Sequence, residues 1–144
     1  MPQVKAIEVH HDNQYVYGLQ LFYQDGKKTD LHFGTHAREF ANEQVRSERI
    51  ELQKGEYLTG MGTRCGAICD SLWFNTSQGR LIRFGGDGGT DAECSTQEAS
   101  KPYVLAIGAG VGGHIHHIKC FYLDLAEHER IAQLSGLDGY LAAP

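Results

Sequence analysis

The feature that most constrains this chain is a hairpin that it writes twice and begins a third time. Tyr17-Gly18-Leu19-Gln20-Leu21-Phe22-Tyr23 and Lys28-Thr29-Asp30-Leu31-His32-Phe33 flank Asp25-Gly26, a pair suited to a tight β-turn. Farther along, an alternating segment that starts at Asp70-Ser71-Leu72 runs to a turn at Gly79 and returns to Phe84-Gly85. Leu19 to Gly26 and Leu72 to Gly79 have the same separation, and the returns end alike, at Phe33-Gly34 and Phe84-Gly85. A partial third copy runs from Gly113 through His117-Ile118-Lys119-Cys120-Phe121-Tyr122. Alternation places Leu19, Leu21 and Tyr23 on one face of their strand. Repeated units that each bury one face need a common axis to bury it against, so three copies predict an all-β, three-sided prism of Greek-key sheets with pseudo-threefold symmetry.

Composition narrows the function. A chain of 144 residues supports one domain with a real core. Its net charge of -5, with no basic stripe interleaved with aromatics, argues against nucleic acid as a partner. No apolar run is long enough to span a bilayer, and Met1-Pro2-Gln3-Val4-Lys5 lacks the apolar core of a signal peptide. Cys65, Cys69, Cys94 and Cys120 are compatible with two disulfides, but a domain of this size does not need them, and Cys65-x-x-x-Cys69 is not a usual zinc-ribbon or redox spacing. They are read as reduced and the compartment as cytoplasmic, with secretion lacking a visible signal peptide as the alternative.

The chemistry concentrates in the middle copy. Gly66-x-x-x-Asp70 opens it and Phe84-Gly85-Gly86-Asp87-Gly88-Gly89 closes it. Antiparallel strands joined by a tight turn finish side by side, so a carboxylate meets a run of bare backbone N–H groups. An ionised Asp70 accepts hydrogen bonds from two adjacent hydroxyls, and glycines let a ligand approach the backbone. That suits a small polyhydroxylated ligand. The plainer reading is a wide turn, with Asp70 satisfying nearby amides. The other copies depart from this pattern: Tyr17 and Asn13 stand where Asp70 and Gly66 do, and Gly113-His114-Ile115-His116-His117 puts histidine in the carboxylate's place.

The ordered set of Gly66-x-x-x-Asp70, Asp70-Ser71-Leu72 and Phe84–Gly89 resembles the jacalin-related lectins. Ile50–Leu58 resembles the family strand that precedes the binding loop, and Val104–Gly108 with Lys119–Leu123 resembles its closing strands. The resemblance implies a non-enzymatic β-prism I domain over 1–125 that needs no cofactor and binds glycans of mannose or glucose type. It implies a site at Gly66, Ile68, Cys69, Asp70, Gly85, Gly86 and Asp87. There the carboxylate and the amides of Ile68, Cys69, Gly86 and Asp87 grip the O3, O4 and O6 region of the sugar. A second, degenerate site would involve Gly113, His116 and His117, although the family's glycine-rich strand has no counterpart in the residues ahead of Val4. One shallow site is weak, which implies a homo-oligomer or attachment to another module. The alternative function is an interaction or oligomerisation domain that kept the prism and lost the sugar.

Other segments carry smaller expectations. Ala37–Ser47 is polar and charged and reads as an exposed loop. Residues 126–144 form a separate, partly helical tail, with Asp124 as N-cap, Gly136 as stop, and Ile131 and Leu134 on one face. Trp73 and Phe74 point to opposite faces, and both are expected in the core. His114 and His116 share a strand face, so a two-histidine metal site is geometrically open; a solvated face is the commoner outcome, and no metal site is assigned.

Overall fold

The computed structural model of the chain describes residues 2–34, 45–65, 68–93, 99–112 and 114–135. Among the described residues, ten strands and one helix follow one another. The first four are β1 (Val4–His11), β2 (Val16–Tyr23), β3 (His32–Phe33) and β4 (Arg46–Glu51), which lie in one sheet in the order β3-β2-β1-β4. The next four are β5 (Leu58–Cys65), β6 (Cys69–Thr76), β7 (Leu81–Gly85) and β8 (Thr90–Glu93), in the order β7-β6-β5-β8. The second sheet is therefore the first repeated four strands later. Then β9 (Pro102–Val111) and β10 (Ile115–Asp124) pair as a third, two-stranded sheet among the described residues, and α1 (Leu125–Ser135) follows. The protein is the all-β prism of three antiparallel sheets that the repeats predict, with a short C-terminal helix.

The repetition extends to the turns. In the first copy Gly26 N donates to Tyr23 O at 3.1 Å and Tyr23 N to Lys27 O at 2.9 Å; in the second, Gly79 N donates to Thr76 O and Thr76 N to Arg80 O, both at 3.0 Å. Gly26 and Gly79 have φ of 87° and 78°, a region costly for any residue with a Cβ, which is why glycine stands at both tips. The inward faces of all three sheets meet in one core. Leu19 and Leu21 come from the first, Leu72, Phe74, Ile82 and Phe84 from the second, and Val104, Ile107, Ile115 and Ile118 from the third. Each such side chain contributes roughly 1.5–3 kcal/mol by leaving water. Tyr23 packs against this core and donates its hydroxyl to Leu105 O at 2.6 Å, tying the first sheet to the third.

Several expectations are corrected here. Ile50–Leu58 is not the strand that precedes the binding loop: β4 ends at Glu51, the chain bends, and β5 begins at Leu58. The bend is built on Glu56, whose buried carboxylate accepts from Gln53 N at 2.9 Å, Thr76 Oγ1 at 2.6 Å, and Arg80 Nε and Nη2 at 2.9 and 2.7 Å. Of the segment Ala37–Ser47 read as a loop, Arg46 and Ser47 belong to β4; 35–44 lie outside the described residues. Phe74 is in the core but Trp73 is not: its ring lies on the outer face of the second sheet, over Gly62, where a Cβ would come within 2.2 Å of it. The helix starts where expected, with Asp124 Oδ1 accepting from Ala126 N at 3.1 Å. Leu125 and Ala132 are buried, while Ile131 and Leu134 face solvent. Gly136 lies outside the described residues.

Candidate functional site

The β6–β7 hairpin brings Asp70 to the glycine loop as its strand lengths require. Ser71 pairs with Gly85 in register, so Asp70 stands one residue beyond the last rung on one side and Gly86 on the other. Gly86 N donates to Asp70 O at 2.8 Å, which fixes the loop to the strand. Gly85 makes the corner with φ of 92°, and a Cβ there would sit 2.3 Å from Asp70 O. The Asp70 carboxylate then rests on the bare faces of Gly88 and Gly89: a Cβ on Gly88 would lie 2.5 Å from Oδ1, and one on Gly89 2.6 Å from Oδ2. Each of these glycines removes a side chain that would collide with Asp70.

Two arginines that sequence reasoning passed over hold this loop from outside. Arg64 of β5 donates from Nε to Gly88 O at 3.0 Å and from Nη2 to Gly89 O at 3.1 Å. Arg83 of β7 donates from Nη2 to Gly86 O at 3.3 Å and to Asp87 Oδ1 at 3.4 Å. A trans peptide sets its C=O and N–H in opposite directions, so drawing the Gly86 carbonyl toward Arg83 turns the Asp87 N–H away from it. The Asp87 side chain is fully exposed. Trp73, on the strand between the two arginines, and Leu81 line with them a cavity of about 180 Å³ on the sheet's outer face. Period-2 alternation alone places Arg64, Trp73 and Arg83 on an outward face; only the fold shows that the guanidinium groups reach back to the loop.

Of the expected site residues, Asp70, Gly85, Gly86 and Asp87 come together, with Ile68 half-buried and Cys69 fully buried at the start of β6. One role changes. The Gly86 N–H, expected to face a ligand, is engaged by Asp70 O, so Gly86 positions the loop instead. Gly66 lies outside the described residues, as does Gly113 of the second candidate site. His117 lies exposed along Gly110, close enough that a Cβ there would come within 2.1 Å of its ring, and the His116 backbone belongs to β10. Among the described residues no group of three or more His, Cys, Asp or Glu side chains is arranged to hold a metal ion.

The first copy shows what the same position becomes without the motif. Gly34 N donates to Tyr17 O at 3.1 Å, the counterpart of Gly86 N to Asp70 O. Here the carboxylate comes from Asp12, and the protein itself occupies it: Asp12 Oδ1 accepts from Gln14 N at 2.9 Å and Tyr15 N at 2.8 Å, and Oδ2 from the Tyr17 hydroxyl at 2.7 Å. Burial raises the Asp12 pKa, but these donors outweigh it and hold the carboxyl below its ordinary value; burial and that same carboxylate push the Tyr17 hydroxyl well up. The closed loop packs against the second copy, since a Cβ on Gly86 would meet Asn13 O and Gln14 O, each at 2.9 Å.

Three antiparallel sheets about one core, with a carboxylate and a glycine loop at the end of one of them, define a β-prism of lectin type. The jacalin-like lectin domain model matches residues 1–122, and the chain belongs to that family. Solved structures of similar fold include the mannose-binding jacalin-related lectin AcmJRL from Ananas comosus, at 22% identity and TM-score 0.65, covering 86% of this chain and 85% of that one. A prostate-specific WGA16 glycoprotein lectin matches at 15% identity and TM-score 0.68, over 84% of this chain and 82% of that one. Frutalin from Artocarpus incisa, solved with galactose, matches at 14% identity and TM-score 0.64, over 84% and 92%. Among curated proteins, none matches closely enough to count as a relative.

Proposed function

We propose that this protein is a carbohydrate-binding lectin whose working site is the Asp70 carboxylate with the loop Gly85–Gly89, completed by the segment Gly66–Cys69, and that it takes glycans of mannose or glucose type. The observation that carries the reading is the seat of Asp70: its carboxylate lies on Gly88 and Gly89, whose lack of side chains keeps the approach open. The Asp70 oxygens accept from vicinal hydroxyls, while the amides of Ile68, Cys69 and Asp87 supply donors. Support for the sugar class comes from the motif and from the mannose-binding neighbour. Neither catalysis nor a cofactor enters this reading.

Asp70→Ala is the test, read by glycan titration of a protein whose melting temperature is unchanged. Loss of binding is expected, and unchanged affinity would remove Asp70 from the site. Because one shallow site binds weakly, the reading includes self-association, for which the exposed Ile131 and Leu134 of α1, at 45% and 74% exposure, are the proposed surface. Ending the chain after Leu125 should lower the mass in solution; an unchanged mass would relocate the contact.

A further inference from the structure

The start of the same loop carries a second piece of chemistry. Cys65, the last residue of β5, and Cys69, the first of β6, are cross-strand partners just past an irregularity in the β5–β6 ladder, where the register shifts between Arg64 and Cys65. Partners opposed in an antiparallel pair have Cα atoms about 4.5–5.5 Å apart, inside the range of about 4.4–6.8 Å that a disulfide bridges. Both are free thiols. Their sulfurs already meet, because each side chain hydrogen-bonds the other. Cys65 is half-buried and also takes a hydrogen bond from the Thr63 side chain, while Cys69 is fully buried, with Sγ 3.5 Å from Ser71 O.

We propose that Cys65 and Cys69 are a reactive dithiol, a modification site that low-molecular-weight disulfides convert to an intramolecular Cys65–Cys69 disulfide. The pair divides the two roles the reaction requires. Cys65 is the attacking sulfur: the hydrogen bond from Cys69 is the largest influence on it and, joined by Thr63, holds its pKa below the ordinary thiol value against burial and the Asp70 charge. Cys69 keeps the proton, its pKa raised by that contact and by burial, and waits out of reach of solvent as the resolving thiol. In the first step the Cys65 thiolate attacks one sulfur of a disulfide RS–SR; the Cys65–SR bond forms, the RS–SR bond breaks and RS⁻ leaves. In the second, Cys69 attacks the Cys65 sulfur; the Cys65–Cys69 bond forms, the Cys65–SR bond breaks, and the Cys69 proton passes to the departing RS⁻, which leaves as RSH. The two cysteines give up two electrons, which the small disulfide carries away as two thiols.

This chemistry stands on the pairing of the two thiols and holds whether or not the neighbouring loop binds sugar. The test is treatment of the full chain with oxidised glutathione, followed by intact-mass measurement and peptide mapping. The proposal expects a loss of about 2 Da, mapped to a Cys65–Cys69 crosslink and reversed by dithiothreitol. In Cys69→Ser the resolving thiol is gone, so the mixed disulfide should persist at Cys65 as a gain of about 305 Da, one glutathione. In Cys65→Ser, residue 69 should stay unmodified. Three outcomes would overturn the proposal: a stable glutathione adduct on Cys65 of the unaltered protein, no reaction at either residue, or a crosslink from either to Cys94 or Cys120.

Discussion

Glu56 gives the most quantitative prediction, because one buried carboxylate holds together the bend before β5 and the hairpin that carries Asp70. It is 1% exposed and takes four hydrogen bonds, from Gln53 N, Thr76 Oγ1 and two nitrogens of Arg80. The Arg80 guanidinium is the largest cause of a pKa lowered from 4.5 to about 2; burial opposes it, and Thr76 and Gln53 add to it. At about 1.4 kcal/mol per tenfold change in proton affinity, that depression corresponds to roughly 3 kcal/mol, and screening of the partly exposed Arg80 brings it nearer 2. A depressed carboxyl stabilises the fold above its unfolded pKa, so this contribution is intact above about pH 4.5 and is lost as pH falls toward 2. Glu56→Ala adds the cost of leaving the Thr76 hydroxyl, the Gln53 N–H and Arg80 without their acceptor, for about 3 kcal/mol in all at neutral pH. In a domain of this size that lowers Tm by roughly 6–12 °C. The assay is thermal unfolding of the native protein, Glu56→Ala and Glu56→Gln at pH 7, 4 and 3. The native protein should lose more stability between pH 4 and 3 than either variant. A Glu56→Ala melt within about 2 °C of the native protein at pH 7, or an acid sensitivity unaltered by Glu56→Gln, would refute the reasoning.

Three further outcomes are expected. Gly88→Ala puts a methyl group 2.5 Å from Asp70 Oδ1 and should weaken glycan binding at least about tenfold with the fold intact, checked by titration; unchanged affinity would show that the carboxylate does not need its glycine seat. Asp12→Ala strips the buried Tyr17 hydroxyl of its acceptor and should cost about 1–3 kcal/mol in urea unfolding, without loss of glycan binding, because the first copy is filled by its own side chains. Gly62→Ala would place a Cβ 2.2 Å from the Trp73 ring. Since Trp73 is the sole tryptophan, its fluorescence should shift to the red as the ring is lifted into solvent; an unshifted spectrum would contradict its placement on that face.

The parts of the fold that local patterning controls were legible. Leu19-Gln20-Leu21 and Leu72-Trp73-Phe74 alternate because each strand buries one face, and Gly26 and Gly79 mark turns because the backbone there has positive φ. Legibility ended where distant residues decide. The bend at Glu56 depends on Arg80, far along the chain, so Ile50–Leu58 read as one strand. The β3 strand is short because Thr29 interrupts the pairing, its Oγ1 taking the Leu21 N–H at 2.9 Å, which composition does not reveal. Trp73 could be put opposite Phe74, but not over Gly62, since that gap exists only once β5 and β6 pair. In the candidate site, Asp70 and the glycines stood out as a motif. Arg64 and Arg83 did not, since arginine on an outward face ordinarily points to water, and the Gly86 N–H read as a ligand donor because its bond to Asp70 O forms only when the hairpin closes.

The most direct measurement is a glycan-array screen of the purified protein alongside Asp70→Ala, with mannose, glucose and galactose as competitors. The account predicts selective binding that mannose or glucose displaces, galactose does not, and Asp70→Ala abolishes. A blank array from folded protein, or binding that survives loss of Asp70, would contradict it.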